Sequence, residues 1–525
     1  MRVVIIGGNH AGMAAAMHLR RNDDKCEIII LEASDELSIS DQGIPYLAEG
    51  KLENSDALIG AHPAQLKRLF NIDSRLNVSI KEILSAKKII ILGNDEPLKY
   101  DKLILANWCV GKPKNIFGSD QPWILDAGCL KDMEHLNDYP FKKVLISGSG
   151  FYGLRLAESL IKRGAEVVMT TPHKNILSSF DDDFADMVQH KINFQHLKIY
   201  LKTEIKKFLS HAAILSNGTT ETFDLALLVP SEVSVFNLPI KPALNFGFEG
   251  GVTVDQTLHT PLNNVWACGD IIEYQDIISK KPRRLKGAAL IAQSAKIAAD
   301  SVSRRRVAFN FILQNQIVKV FDYYIGQVGC SETDLRAAGI SYHRLYLSQP
   351  HAEIYLREAT PLNAKLLFGR DGTILGLQLI GKNGVSNRLN TAAALMFQHG
   401  SVYQMARLPL AYFPELSLAK DMLNNLGSLA AAILDNKLKT LRLSSLKEED
   451  IVLNVCNKMK VRLFTKAKTI HIPFDVLREN FAILPQNKRI AVYCGSGYSA
   501  YLAYCLLANN GFEKAYLLNS PEVWQ

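Results

Sequence analysis

The stretch Arg2 to Gly12, RVVIIGGNHAG, decides how this chain is read. Four branched apolar residues, Val3 to Ile6, run straight into Gly7-Gly8, and a helical segment follows from Met13 to Arg21. A second apolar run, Glu27 to Leu31, then ends in Glu32. Strand, glycine turn, helix and strand in that order predict the opening of a nucleotide-binding βαβ unit. The plan recurs further on. Lys143 to Gly153 reads KVLISGSGFYG, a helix is expected from Leu154 to Arg163, and Glu166 to Met169 supplies the next strand. Two such units in tandem predict two nucleotide sites.

The chemistry of the first turn is that of phosphate binding. A tight glycine turn lets backbone N–H groups and the positive end of a helix face a pyrophosphate. Gly7 and Gly12 hold the outer positions of a G-x-G-x-x-G pattern, with Gly8, Asn9 and Ala11 between them. Asn9 stands at the middle glycine position, and asparagine tolerates unusual backbone angles better than most residues. Glu32, at the end of the second strand, is placed to accept hydrogen bonds from a ribose. Gly148, Gly150 and Gly153 complete the pattern in the second unit.

Composition sets the outer bounds. The 525 residues allow three or four domains, and 48% hydrophobic with 21% charged residues is an ordinary folded composition. No apolar run approaches the ~20 residues of a membrane span. The apolar start ends at Gly7-Gly8 with no cleavage pattern, so a cytoplasmic chain with reduced cysteines is expected. The eight cysteines form no C-x-x-C pair, and no metal site is expected. Of the net charge of +8, residues 436–525 carry +6, which suits a small anionic partner or a solvated face. The clusters at 280–286 and 304–306 are too short and lack interleaved aromatics, so no nucleic-acid partner is expected, and without a spanning run no membrane partner is expected either.

Further along, residues 264–270 read NVWACGD, residues 308–430 mix strands with helices, 436–450 reads as a polar linker, and a last α/β unit centres on Ile490 to Cys494. With these segments the chain resembles the flavin-dependent pyridine nucleotide–disulfide oxidoreductases. The branch it resembles is that of coenzyme A-disulfide reductase and NADH oxidase/peroxidase, in the form fused to a rhodanese domain. The resemblance implies an α/β fold with two tandem Rossmann-like domains, an α+β dimerisation domain and a C-terminal rhodanese-like α/β domain. It divides the chain into an FAD domain (1–110 and 238–307), an NAD(P) domain (111–237), a dimerisation domain (308–430) and a rhodanese-like domain (441–525). It implies FAD on the first turn, with Gly269 and Asp270 beside the flavin side chain, and NAD(P)H on the second. It also implies a homodimer in which Tyr412 reaches the partner's flavin, with coenzyme A, or a small thiol or persulfide, contacted by Arg21, Ser38 and Lys420. His10 is read as an acid or base beside the flavin, or else as a helix-end residue that only caps or packs.

The residues also depart from the family pattern. In the family a redox cysteine follows the second strand; residues 38–46 here read SISDQGIPY, with Gln42 at its place. An amide forms neither mixed disulfide nor sulfenic acid. Cys26 and Cys109 are read as buried small residues. Around the second turn, Arg155 replaces a glutamate, Thr171 an acid, and Trp108 and Ser231 two glycines. His173 and Lys174 are placed to meet a 2′-phosphate, or stand in a solvated turn. Residues 493–500, YCGSGYSA, resemble a rhodanese active loop in which Cys494 would carry a persulfide, although Ser499 and Cys456 stand where arginines are usual. Two readings stay open: an FAD-dependent NAD(P)H oxidoreductase lacking the usual cysteine cycle, and a catalytically retired protein that holds FAD or coenzyme A as a structural or sensing element.

Overall fold

The computed structural model describes residues 1–106, 116–192, 196–230, 238–457, 465–495 and 497–520. The chain forms two units, one of residues 1–174 and 194–314, the other of residues 175–193 and 315–525.

The first unit contains two five-stranded parallel sheets built on one plan. In the first, the strand order is Val265–Ala267, Lys102–Leu105, Arg2–Ile6, Glu27–Leu31 and Ile72–Arg75. In the second it is Ile124–Asp126, Leu225–Leu228, Lys143–Ser147, Glu166–Thr170 and Leu197–Tyr200. The matching strands pair in the same way, Ile6 with Leu31 and Ser147 with Thr170 at the carboxyl ends. Val3, Val4, Ile5 and Ile6 are all buried, as expected of parallel strands covered on both faces. The sequence therefore reads as an unbroken apolar run rather than an alternation.

Each glycine turn is fixed by steric necessity. Gly7 and Gly148 have φ of 105° and 117°, which side chains rarely adopt. Gly12 and Gly153 permit close approach of helix to turn. A Cβ on Gly12 would lie 1.8 Å from the Gly7 carbonyl oxygen, and one on Gly153 would lie 2.1 Å from that of Gly148.

The second unit is organised by an antiparallel sheet in the order Asn315–Val320, Tyr323–Gly329, Ile374–Gly381, Pro361–Phe368 and His343–Pro350. Lys365 is fully buried, with its ammonium 2.9 Å from Asp181, 2.6 Å from Asp183 and 2.7 Å from Glu332. Burial opposes its charge, but Tyr346 and the three carboxylates hold its pKa above the ordinary lysine value. This network explains why residues 175–193, with the helix Asp182–Lys191, group with the second unit rather than with the rest of 111–237.

A separate all-parallel sheet closes the chain, in the order Thr440–Leu441, Ala515–Leu518, Ile490–Tyr493, Ile451–Asn454 and Lys468–His471. The polar stretch 436–450 is not a free tether. Thr440 and Leu441 pair with Leu517 and Leu518, and Lys439 N–H donates to the Tyr504 hydroxyl. The Asn519 amide accepts from Tyr346 N–H and donates to the Arg344 carbonyl, both at 2.9 Å, joining this sheet's end to the edge strand His343–Pro350. Among the described residues, no helix is long and apolar enough to cross a membrane.

Candidate functional site

The first glycine turn forms a shaped cradle. Asn9 caps the helix His10–Asn22: its Oδ1 accepts from Gly12 N–H at 3.0 Å, and its Nδ2 donates to the Ala106 carbonyl at 2.7 Å. The asparagine thus ties the turn to the neighbouring strand, which accounts for its tolerance at a glycine position. The amides of His10 and Ala11 stand in the first helical turn, where no i−4 carbonyl exists to take them. Glu32 accepts from Gly8 N–H at 2.5 Å and from the Ser34 amide and hydroxyl at 2.9 Å. Its carboxylate is thereby held at the turn.

Two further segments meet this turn. Gly269 has φ 87°, and a Cβ there would lie 2.8 Å from the Ala11 Cβ, so Gly269-Asp270 lies directly against the helix start. Ser294 Oγ accepts from Gly269 N–H, and the Arg284 guanidinium donates to the Asp270 carbonyl at 2.6 and 3.1 Å. Burial raises the Asp270 carboxyl above its ordinary value, with Arg284 opposing. On the other side, Ser38 adopts φ 53° and donates its N–H to the Gly8 carbonyl at 2.8 Å. The chain then makes the short turn Asp41–Gly43. Desolvation pushes the Asp41 carboxyl up to about 6, with Asp270 adding to the effect. Gln42 and His10 are both exposed, and Gln42 directly follows Asp41. Gly7, Gly8, Asn9, Ala11, Gly12, Glu32, Ser38, Gly269 and Asp270 therefore converge.

Arg21 does not join them. It lies in the last turn of the helix that His10 begins, eleven residues or about 16 Å along the axis. Tyr412 and Lys420 belong to the second unit. Tyr412 is exposed, its hydroxyl donates to Glu353 at 3.1 Å, and its pKa is pushed up to about 12 by desolvation and by Glu353 and Tyr355. Lys420 is exposed, 6.0 Å from the ring centre of Tyr498.

The second turn keeps its cradle but has filled surroundings. Arg155 pairs with the buried Glu158 at 2.6 Å and lies 5.1 Å from the Tyr46 ring centre. Tyr152 donates to the Ala127 carbonyl at 2.6 Å. Thr171 is buried and bonded through its backbone to Tyr200 and Thr203, so it presents no acid for a ribose. His173 and Lys174 are exposed. Asn107, Trp108, Cys109, Ser231 and Ser496 lie outside the described residues. Cys26 is buried, as expected, and burial raises its thiol pKa.

Cys494 directly follows the strand Ile490–Tyr493 and precedes the helix Gly497–Asn509. Its Sγ accepts from Cys456 Sγ at 3.3 Å. The sequence pattern marks Cys456 only as a missing arginine; the parallel register of Asn454 with Tyr493 is what brings it beside Cys494. Asp41 was also missed, its one signal being adjacency to Gln42. The three acids Asp181, Asp183 and Glu332 converge as metal ligands do, but the Lys365 ammonium sits among them.

Comparison with known proteins agrees with this geometry. The chain is similar to an NADH oxidase of Methanocaldococcus jannaschii, 25% identical over 83% of this chain and all of that protein. It is also similar to an NAD(P)H coenzyme A polysulfide/persulfide reductase of Pyrococcus horikoshii, 24% identical over 80% of this chain and 96% of that one. Its fold matches the solved structure of an NAD-dependent persulfide reductase from A. fulgidus over 100% of both chains, with TM-score 0.91 at 24% identity. Residues 316–422 match the pyridine nucleotide-disulphide oxidoreductase dimerisation domain. Residues 1–320 match the model of the parent family, and the chain belongs to the FAD-dependent pyridine nucleotide-disulphide oxidoreductases.

Proposed function

We propose that this chain is an FAD-dependent NAD(P)H oxidoreductase of the coenzyme A-disulfide or persulfide reductase type that does not run a cysteine-based disulfide cycle at residue 42. The observation that carries the reading is the cradle at Gly7 to Gly12, closed by Glu32 on one side and Gly269-Asp270 on the other. Its fit to a dinucleotide is chemical. Unfilled helix-end amides suit a pyrophosphate, and a strand-end carboxylate suits a ribose.

FAD, when bound, supplies two-electron redox chemistry. Gly7 to Gly12 would hold its diphosphate, Glu32 its ribose and Asp270 its side chain. The half-buried Asp41, raised to about 6, is able to hold a proton near neutrality at the turn that carries Gln42. Gln42 offers a neutral amide where the family places its thiol, so no sulfur at that position can form a bond with a substrate. His10 stands at the helix start as a candidate proton donor or acceptor.

The domain division proposed is 1–110 with 238–307, then 111–237, 308–430, and a rhodanese-like module at 441–525 carrying Cys494. A homodimer is supported by the dimerisation-domain match and by an exposed apolar patch: Ile354 at 75%, Tyr355 at 69%, Phe413 at 55% and Leu416 at 63% exposure. Tyr412 lies beside it and would reach the partner's flavin, and Arg21, Ser38 and Lys420 would meet coenzyme A or a small thiol.

A second reading, a retired FAD- or coenzyme A-binding sensor, is favoured by one observation. The second turn has Arg155 locked to Glu158 and a buried Thr171 where an acid is needed. The two readings separate on anaerobic addition of NADH and NADPH to the purified flavoprotein. Bleaching of the flavin band supports the oxidoreductase; an unchanged band with both nucleotides supports the sensor and overturns the first reading.

A further inference from the structure

Cys456 and Cys494 lie just beyond the ends of the neighbouring parallel strands Ile451–Asn454 and Ile490–Tyr493, with Asn454 registered on Tyr493. Their sulfurs are 3.3 Å apart. An S–S bond is about 2.05 Å, so the two sulfurs have about 1.3 Å to close. The surroundings hold this arrangement. Cys456 N–H donates to Asn454 Oδ1 at 2.9 Å, the Cys456 carbonyl is bonded to His471 Nε2 at 2.8 Å, and Gly495 N–H donates to Cys456 Sγ at 3.2 Å. Cys494 is buried and Cys456 half-buried.

Position relative to the helix assigns the roles, since Cys494 stands three residues before the helix Gly497–Asn509. Cys456 S–H donates and Cys494 sulfur accepts. The contact with Cys494, followed by burial, pushes the Cys456 pKa up. A thiolate at the start of a helix is a sulfur nucleophile. The Gly495 amide then offers stabilisation to the Cys456 sulfur once its own proton leaves.

We propose that Cys456 and Cys494 form a redox dithiol that reduces a small persulfide, with Cys494 as the acceptor of sulfane sulfur and Cys456 as the resolving thiol. The proposal rests on reading 441–525 as a rhodanese-like sulfur-carrier module. In the first step Cys494 attacks the terminal sulfur of RSSH. A Cys494–S bond forms, the RS–S bond breaks, and RSH leaves. In the second step Cys456 attacks Cys494 Sγ and displaces hydrogen sulfide, leaving a Cys456–Cys494 disulfide. The persulfide sulfur gains two electrons, and the dithiol supplies them and loses two protons. Two equivalents of a small thiol then restore the dithiol and leave as their disulfide. An arginine at either position would hold an anionic donor. A second cysteine instead removes the sulfur reductively, which gives the departure at Cys456 a chemical meaning.

The test uses the full chain, reduced with dithiothreitol and desalted anaerobically, then given one equivalent of glutathione persulfide. Intact mass, hydrogen sulfide release and peptide mapping are followed for the native chain and for Cys456→Ser, Cys456→Ala and Cys494→Ser. The native chain is expected to release sulfide and lose about 2 Da, with the loss mapped to a 456–494 cross-link, whereas both Cys456 variants gain and keep about 32 Da on Cys494. Cys494→Ser should do neither. A native chain that keeps the added sulfur as the Cys456 variants do would overturn the resolving role. If no chain takes up sulfur, the sulfur-carrier reading fails and the proposed substrate falls with it. Treatment with diamide then reports the pair alone, by whether the 456–494 cross-link forms.

Discussion

Replacing Gly12 by alanine should abolish flavin retention while leaving most of the fold in place. The added Cβ would lie 1.8 Å from the Gly7 carbonyl oxygen and 3.0 Å from its carbon. Heavy atoms in contact need about 3.5 Å, so helix and turn must part by more than about 1 Å. Overpacking of this kind costs about 1–3 kcal/mol of stability, a modest fraction of what a large unit holds. The effect on the ligand is greater, because the same displacement carries the helix-start amides out of hydrogen-bond range of a pyrophosphate. Two charge-assisted hydrogen bonds at about 1.5–3 kcal/mol each amount to a loss of about 100- to 20,000-fold in FAD affinity. The assay is titration of the flavin-free protein with FAD, read by quenching of flavin fluorescence, with far-ultraviolet circular dichroism as the folding control. Gly153→Ala is the matched control. Its Cβ would lie 2.1 Å from the Gly148 carbonyl oxygen, in the other sheet, and it should leave FAD affinity within a few-fold. Native affinity in Gly12→Ala, or an equal loss in Gly153→Ala, would refute the assignment of the first turn to FAD.

Three further outcomes are expected. Lys365→Met strands Asp181, Asp183 and Glu332 without their shared cation and should cost about 3–5 kcal/mol in urea denaturation, as breaking a buried ion pair does; a loss under about 1 kcal/mol would contradict the network's role. The folded-state pKa of Asp41 is raised from 3.8 to about 6, so its contribution to the flavin-free protein is fully present below about pH 4 and is lost as the pH rises through 6. Asp41→Asn should flatten that slope, seen as a stability gain over the native chain at pH 7.5 that vanishes at pH 4; no pH dependence of the difference would count against it. Tyr355→Asp combined with Phe413→Asp places charge in the exposed patch and should convert a dimer to monomer in sedimentation, with weaker flavin binding; an unaltered dimer would remove this surface from the interface.

The nucleotide-binding units were legible because their causes are local. Val3 to Ile6 had to be a buried strand, and Gly7 and Gly12 had to be glycine for conformation and close approach. Asn9 was legible only as a departure, since its two hydrogen bonds reach Gly12 and Ala106, 97 residues away in the second case. Residues that act through distant partners gave little signal. Lys365 looks like any strand lysine until Asp181, Asp183 and Glu332 surround it. The polar stretch 436–450 looked like a linker because an edge strand as short as Thr440–Leu441 leaves no periodicity to read. Cys456 illustrates the same limit. Its spacing of 38 residues from Cys494 matches no motif, and only parallel strand register brings the two sulfurs together.

The central claim is that the chain holds flavin but has no sulfur nucleophile at residue 42. Its most direct test is steady-state oxidation of NADH and NADPH with coenzyme A disulfide as acceptor, for the FAD-loaded native chain beside Gln42→Cys and Gln42→Cys with Arg155→Glu. Turnover should be absent or very slow in the native chain, partial in Gln42→Cys, and higher when Arg155 is also replaced. Rapid turnover by the native chain, undiminished by Cys494→Ser, would contradict the account.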